Sequence, residues 1–241
     1  IAVTGAASGM SFAVAQLFAS RGAFISLADI NETALKPAIE PLTGSTQQMV
    51  TVVDVCSGEQ VDKWIESTMQ KYGTFDGAVN MAGIITKTTP ITELTDADWD
   101  FSFMVNTESV FNCLGAQLRA MKEGASMDSA AIIFGQFGAP GNAAYCASQA
   151  AVISLSRTAA KENQKIRVNF VAPGKTGTIF SVNTSMSQGE EPEDVKRGLP
   201  ITAQERGAEP IEVANVIAFL LSDEMSFVTS AVHNIDGGWV C

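Results

Sequence analysis

Short apolar runs alternate with amphipathic helical stretches from one end of this chain to the other, and that alternation limits the fold more than any other feature. The runs at 1–3 (IAV), 23–28 (AFISLA), 49–55 (MVTVVDV), 75–80 (FDGAVN), 130–134 (AAIIF), 166–171 (IRVNFV) and 230–235 (SAVHNI) are mostly uninterrupted by charge. Strands buried on both faces read this way, because helices cover both sides of a parallel sheet. Between them, residues 58–72 place Val61, Trp64, Ile65, Met69 and Tyr72 on one helical face. Ser57 with Gln60 predicts a capping box at its start, and Thr95 with Asp98 predicts another helix start. Pro210 suits the first turn of a last helix, where its missing N–H is not needed. The order β-α-β-α predicts an α/β doubly wound fold: one seven-stranded parallel sheet flanked by helices, 1–241 as a single Rossmann-type domain. Residues 181–207 break the pattern. They are polar, punctuated by Gly and Pro, and are expected to be a loop that closes over a substrate.

Composition narrows the function. At 46% hydrophobic and 17% charged, 241 residues bury a substantial core. A net charge of −11 repels phosphate backbones and anionic lipid, so neither nucleic acid nor membrane is an expected partner. No apolar run approaches the roughly 18 residues that span a bilayer. Cys56, Cys113, Cys146 and Cys241 are scattered, with no CxxC, which predicts free thiols in a reducing, cytoplasmic setting. With one histidine, His233, no metal site is expected. The chain opens on Ile1-Ala2-Val3 inside a strand-like run, so sequence ahead of it is expected.

The first strand leads into TGAASGM (4–10), a glycine-rich turn that opens a helix closed by Gly22. Free backbone N–H groups at a helix start attract anions, and glycine lets a pyrophosphate approach the chain. The spacing Gly5-x3-Gly9-x-Ser11 is not GxGxxG. Asp29 ends the second strand, twenty residues after Gly9. A carboxylate there accepts hydrogen bonds from ribose hydroxyls and repels a 2′-phosphate, which favours NAD(H) over NADP(H).

With these landmarks in order, the whole chain resembles a short-chain dehydrogenase/reductase. Residues 4–10 resemble that family's TGxxxGxG turn, Asp54-Val55 its adenine-contacting pair, and Asn80-Met81-Ala82-Gly83 its NNAG motif. Asn106 in MVNTESVF resembles the helix Asn that organises a proton-relay water, and Tyr145 the catalytic tyrosine. RVNFVAPGKTGT (167–178) resembles its RVNxVxPG segment, and NIDGGW (234–239) its last strand. The resemblance implies a nicotinamide dinucleotide held by Gly5, Ser8, Gly9, Met10, Asp29, Ile30, Asp54, Val55, Asn80, Ala82, Gly83, Tyr145, Gln149, Pro173, Gly174, Thr176 and Thr178. It also implies a homo-oligomer, dimer or tetramer.

Two positions depart from that pattern. The family's lysine, four residues after the tyrosine, is Gln149, and no Ser or Thr occurs between Ala130 and Ala147 where a carbonyl-polarising serine is expected. Gln136 lies near that place, and its amide can donate. Without a cation, Tyr145 is expected to keep a pKa near about 10, able to donate a proton but rarely ionised near neutrality. The candidate catalytic set is Tyr145, Asn106, Gln149 and Gln136. It is read as a reductase acting on a carbonyl or imine of an apolar small molecule, with Phe134, Phe137, Phe180 and Trp239 as candidate pocket walls. The alternatives are a non-redox isomerase or cyclase on the same scaffold, and a decayed nucleotide-binding paralogue. Cys146 is read as a buried thiol, and Met104, Met121, Met186 and Met225 as gap-fillers.

Overall fold

The structure is a computed structural model, and it describes residues 1–39, 48–176 and 202–240. Seven strands form one parallel sheet: β1 (Ala2–Thr4), β2 (Ile25–Asp29), β3 (Gln48–Val52), β4 (Gly77–Asn80), β5 (Ser126–Ala130), β6 (Arg167–Pro173) and β7 (Val232–Ile235). Their order is β3-β2-β1-β4-β5-β6-β7, so the chain reverses its winding between β1 and β4. Ligands gather at the carboxyl ends of strands beside such a switch point.

The described helices are α1 (Gly9–Ser20), α2 (Glu32–Ile39), α3 (Gly58–Tyr72), α4 (Asp96–Phe103), α5 (Ser109–Ala120), α6 (Ala143–Glu162) and α7 (Pro210–Leu221). A π-helical turn, Met104–Glu108, joins α4 to α5. Alternation along the strands feeds two apolar layers. Ala2, Ala28, Ala78, Met127, Val168 and Phe170 pack with α3, α5 and α6. Val3, Ile25, Leu27, Val79 and Val171 pack with α1 and α7. Trp64 and Phe75 are among the largest fully buried side chains, and each contributes about 1.5–3 kcal/mol or more of burial free energy.

The helix starts follow from local chemistry. Ser57 Oγ accepts from Gln60 N (3.4 Å), but the Gln60 amide reaches past the cap to Asp54 N (3.0 Å), so the expected capping box is only half formed. Thr95 Oγ1 accepts from Asp98 N (3.1 Å). Pro210 opens α7, where Glu212 Oε2 accepts from Glu209 N (2.8 Å) and a two-pronged Arg206 ion pair braces the same carboxylate.

The fifth strand lies four residues earlier than its apolar run suggests. Ser126–Ala130, not 130–134, pairs in register with β4 and β6. The strand is SMDSA, and its Ser126 Oγ donates to the Leu220 carbonyl (3.4 Å). The run after Ala130 is apolar for another reason: Ile133–Gly135 leaves the sheet as a 3-10 turn packed on α6. Met104 is also not a gap-filler; it is exposed, while Met121 and Met225 pack against the two layers. Met186 lies outside the described residues, as do Cys241, Thr178, Phe180 and 181–201 of the expected lid.

Candidate active site

The glycine-rich turn is tied down from three directions. Gly5 has φ +67°, and a Cβ on it would stand 3.1 Å from Ala82 Cα. Both its conformation and its closeness to the chain after β4 therefore require glycine. Thr4 Oγ1 accepts from Met81 N (3.0 Å) and Ala82 N (3.2 Å), which joins the ends of β1 and β4. Asp29 Oδ2 accepts from Ala7 N (3.0 Å), and Oδ1 from Asn31 N (2.9 Å). Helix α1 begins at Gly9, after Ser8, with no side-chain cap on its first turn, so Gly9, Met10 and Ser11 offer backbone N–H groups. Ser11, in place of a third glycine, is buried.

Ile30 is exposed at the end of β2, and the Asp54-Val55 pair follows β3. Asp54 Oδ1 accepts from Cys56 N (3.0 Å), and Val55 is buried. Asn80, the last residue of β4, is committed to the fold: it exchanges two amide hydrogen bonds of 2.8 Å with Gln117 of α5. Ala82 and Gly83 are half-buried, and a Cβ on Gly83 would lie 3.2 Å from Asn106 Oδ1. Pro173 and Thr176 are buried at the end of β6, and Gly174 lies against Asp236, with no room for a Cβ.

Tyr145 and Gln149 lie one turn apart on α6, and both are buried. Burial, with the neighbouring Cys146 thiol adding to it, pushes the Tyr145 phenol well above its ordinary pKa. This corrects the expectation of a value near about 10. Gln149 Oε1 is buried with no hydrogen-bond partner. Asn106 sits in the π turn, where Oδ1 accepts from Ile84 N (2.8 Å) and Nδ2 donates to Ser148 Oγ (3.1 Å). Gln136 lies just past the 3-10 turn, exposed, and its amide donates to Asn234 Oδ1 on β7 (2.7 Å). The residues that leave the carboxyl end of β5 are Ala131 and Ile132, neither able to donate from a side chain.

Phe134 stands at the centre of an aromatic cluster beside the phenol. Its ring meets Tyr145 (6.1 Å, 84°), Phe137 (5.3 Å, 80°) and Trp239 (6.2 Å, 90°) edge to face. Phe134, Phe137 and Trp239 are half-buried, unlike the fully buried core rings. Three residues escaped the sequence reading. Ser148 bonds Asn106, Thr107 donates to the Ser148 carbonyl (3.1 Å), and Gly135 lets the 3-10 turn touch α6. Only the position of Ser148, three residues after the tyrosine, was a signal in the sequence. Among the described residues Cys56, Cys113 and Cys146 are free thiols; burial first, then Asp54, pushes Cys56 up to about 11. No described helix is long and apolar enough to cross a membrane.

Comparison with known proteins decides the family. A family model described as enoyl-(acyl carrier protein) reductase matches residues 5–240. The short-chain dehydrogenase/reductase aba4 of Botryotinia fuckeliana is 38% identical over 248 residues, covering 100% of this chain and 96% of that one. The chain belongs to the short-chain dehydrogenase/reductase family. The fold agrees throughout: a levodione reductase structure superposes with a TM-score of 0.92 at 31% identity, covering 98% of this chain and 95% of that one. An NAD⁺-bound xylitol dehydrogenase gives 0.91 at 29% identity, covering 98% and 97%. As a short-chain dehydrogenase/reductase, this protein is an oxidoreductase of a family that binds NAD(P)(H).

Proposed function

We propose that this protein is an NAD(H)-linked reductase of an uncharged, apolar carbonyl or imine compound, with Tyr145 as proton donor. The observation that carries this reading is the pairing of a buried phenol with Gln149, where the family's pattern has a cation. A phenol held above its ordinary pKa, with no positive neighbour on its helix turn, keeps its proton across neutral pH. Such a group can protonate a developing alkoxide or amide anion, but it is a poor base for drawing a proton from an alcohol. The site therefore favours reduction.

The residues fit a nicotinamide dinucleotide. The orphaned Gln149 Oε1 is a buried acceptor suited to a ribose hydroxyl, and the open first turn of α1 suits a pyrophosphate. Bound there, the dinucleotide supplies the hydride. In this reading Gly5, Ser8, Gly9 and Met10 form the phosphate turn, and Asp29 holds the adenosine ribose. Ile30, Asp54 and Val55 flank the adenine; Asn80, Ala82, Gly83, Pro173, Gly174 and Thr176 shape the nicotinamide end. The Asp29 carboxylate supports NAD(H), since a 2′-phosphate would meet a negative charge already turned toward the phosphate turn. Half-buried Phe134, Phe137 and Trp239 offer ring edges and faces to an apolar substrate. Gln136, held on Asn234, is within its own loop a poorer candidate for polarising a carbonyl than Tyr145.

Self-association finds support on α4 and α5. Phe101, Met104 and Phe111 are 48%, 38% and 62% exposed on one face of that continuous helix. Asp96, Asp98 and Asp100 lie at its start, and Arg119 and Lys122 at its end. Arg119 is already paired with Asp62 and Lys122 with Asp76, so it is the apolar stripe that antiparallel pairing with a second copy would cover.

The deciding experiment incubates the protein with NADH or NADPH and a panel of ketones, imines and conjugated carbonyls, following nicotinamide absorbance and product mass. Reduced product matched to NADH consumption, lost in Tyr145→Phe, is the expected result. A substrate that changes without gaining mass, with no nucleotide consumed, would replace this reading with an isomerase or cyclase.

A further inference from the structure

Ser148 is fully buried on α6, between Tyr145 and Gln149. Its hydroxyl donates to the Tyr145 carbonyl (2.9 Å) and accepts from Asn106 Nδ2 (3.1 Å). Its own carbonyl accepts from Thr107 Oγ1 (3.1 Å). Asn106 is held in turn, since its Oδ1 is filled by the Ile84 N–H at 2.8 Å. Consecutive residues of a regular α-helix point in different directions, yet Asn106 and Thr107 both reach the same serine. The π turn at Met104–Glu108 accounts for this, because its i→i+5 bonding widens the helix where it meets α6.

The contacts that reach α6 fall on its backbone or on Ser148 itself, and none uses the Tyr145 phenol or the Gln149 amide. They lock the turn of α6 that carries both side chains and leave their ends free. We propose that Ser148 is a positioning residue: by bridging the π turn to α6 it sets where the Tyr145 phenol stands, without touching substrate. The proposal rests on the reading of Tyr145 as proton donor, and its physical basis is that small misplacements of a reacting group cost rate far more than they cost binding.

The test is Ser148→Ala, with Ser148→Thr as the variant that keeps the hydroxyl. The chain has two tyrosines, Tyr72 and Tyr145, so protein labelled with carbon-13 at the tyrosine Cζ gives two resonances, which Tyr145→Phe assigns. In Ser148→Ala the Tyr145 resonance should move and that of Tyr72 should stay. With a turned-over carbonyl, kcat should fall about tenfold or more while KM and the affinity for NADH stay within about twofold, and Ser148→Thr should recover part of the loss. An unmoved Tyr145 resonance, or unchanged kcat, overturns the proposal. So does a parallel fall of kcat, NADH affinity and melting temperature, which marks a structural role only. If the wild-type protein turns over no carbonyl, the reductase reading fails, and the resonance alone then decides for or against Ser148.

Discussion

Gly135 and Gln149 touch so closely that a Cβ on the glycine would stand 2.9 Å from the Gln149 carbonyl carbon and 3.0 Å from its oxygen. The turn after β5 is thus pressed onto the helix that carries Tyr145. Gly135→Ala must push the two apart, and overpacking of this kind costs about 1–3 kcal/mol. The expected result is a lower denaturation midpoint together with a fall in kcat, because the displaced turn of α6 bears the phenol. Chemical denaturation run beside a turnover assay checks both.

Gln149→Lys should restore a cation one turn from Tyr145. A positive charge there lowers the phenol pKa from its raised value, and each unit multiplies the ionised fraction at a given pH by about ten. The pH at which alcohol oxidation levels off should fall with the phenol pKa, and at any one pH oxidation and reduction should change in the same proportion. The measurement is the pH profile of kcat/KM in both directions for wild type and variant.

Asp29→Ser should move nucleotide preference toward NADPH. The lost carboxylate removes charge-assisted hydrogen bonds worth about 1.5–3 kcal/mol, or roughly 10–100-fold in NADH affinity. It also releases the Ala7 N–H, so the phosphate turn loosens and NADPH affinity gains less than NADH affinity loses. Fluorescence titration with each nucleotide reads the ratio directly.

Asp128 is a buried acid in the middle of β5, and neither of its oxygens has a hydrogen-bond partner. Burial raises its pKa well above the ordinary carboxylate value, while Arg167 pulls weakly the other way. The folded protein therefore keeps a proton that the unfolded chain gives up above a pH of about 4, and stability falls by up to about 1.4 kcal/mol per pH unit from there to the folded pKa. Asp128→Asn cannot ionise. It should flatten that slope and gain most over the wild type at the upper end of the window, as read from urea midpoints between pH 5 and 8.

Phe111→Glu places a charge on the exposed stripe of α4 and α5. Light scattering should show a smaller particle than the wild type at equal concentration. An unchanged mass would remove this helix as the association surface.

What was legible in the sequence was local. The β-α alternation, the helix caps at Ser57 and Thr95, the glycine turn and the acid at Asp29 are each set by neighbours along the chain, and the apolar period records them. The tertiary structure decided what depends on distant partners. β5 lies at Ser126–Ala130 because β4 and β6 hold it in register, although a more apolar run follows it. Asn80 faces Gln117 from 37 residues away, and Asn106 faces Ser148 from 42. An amide or hydroxyl in a sequence shows what it can bond, but only the packed chain shows with which group. The same holds for Tyr145: its identity was written in the sequence, whereas the burial that keeps its proton on came from the layers folded around it.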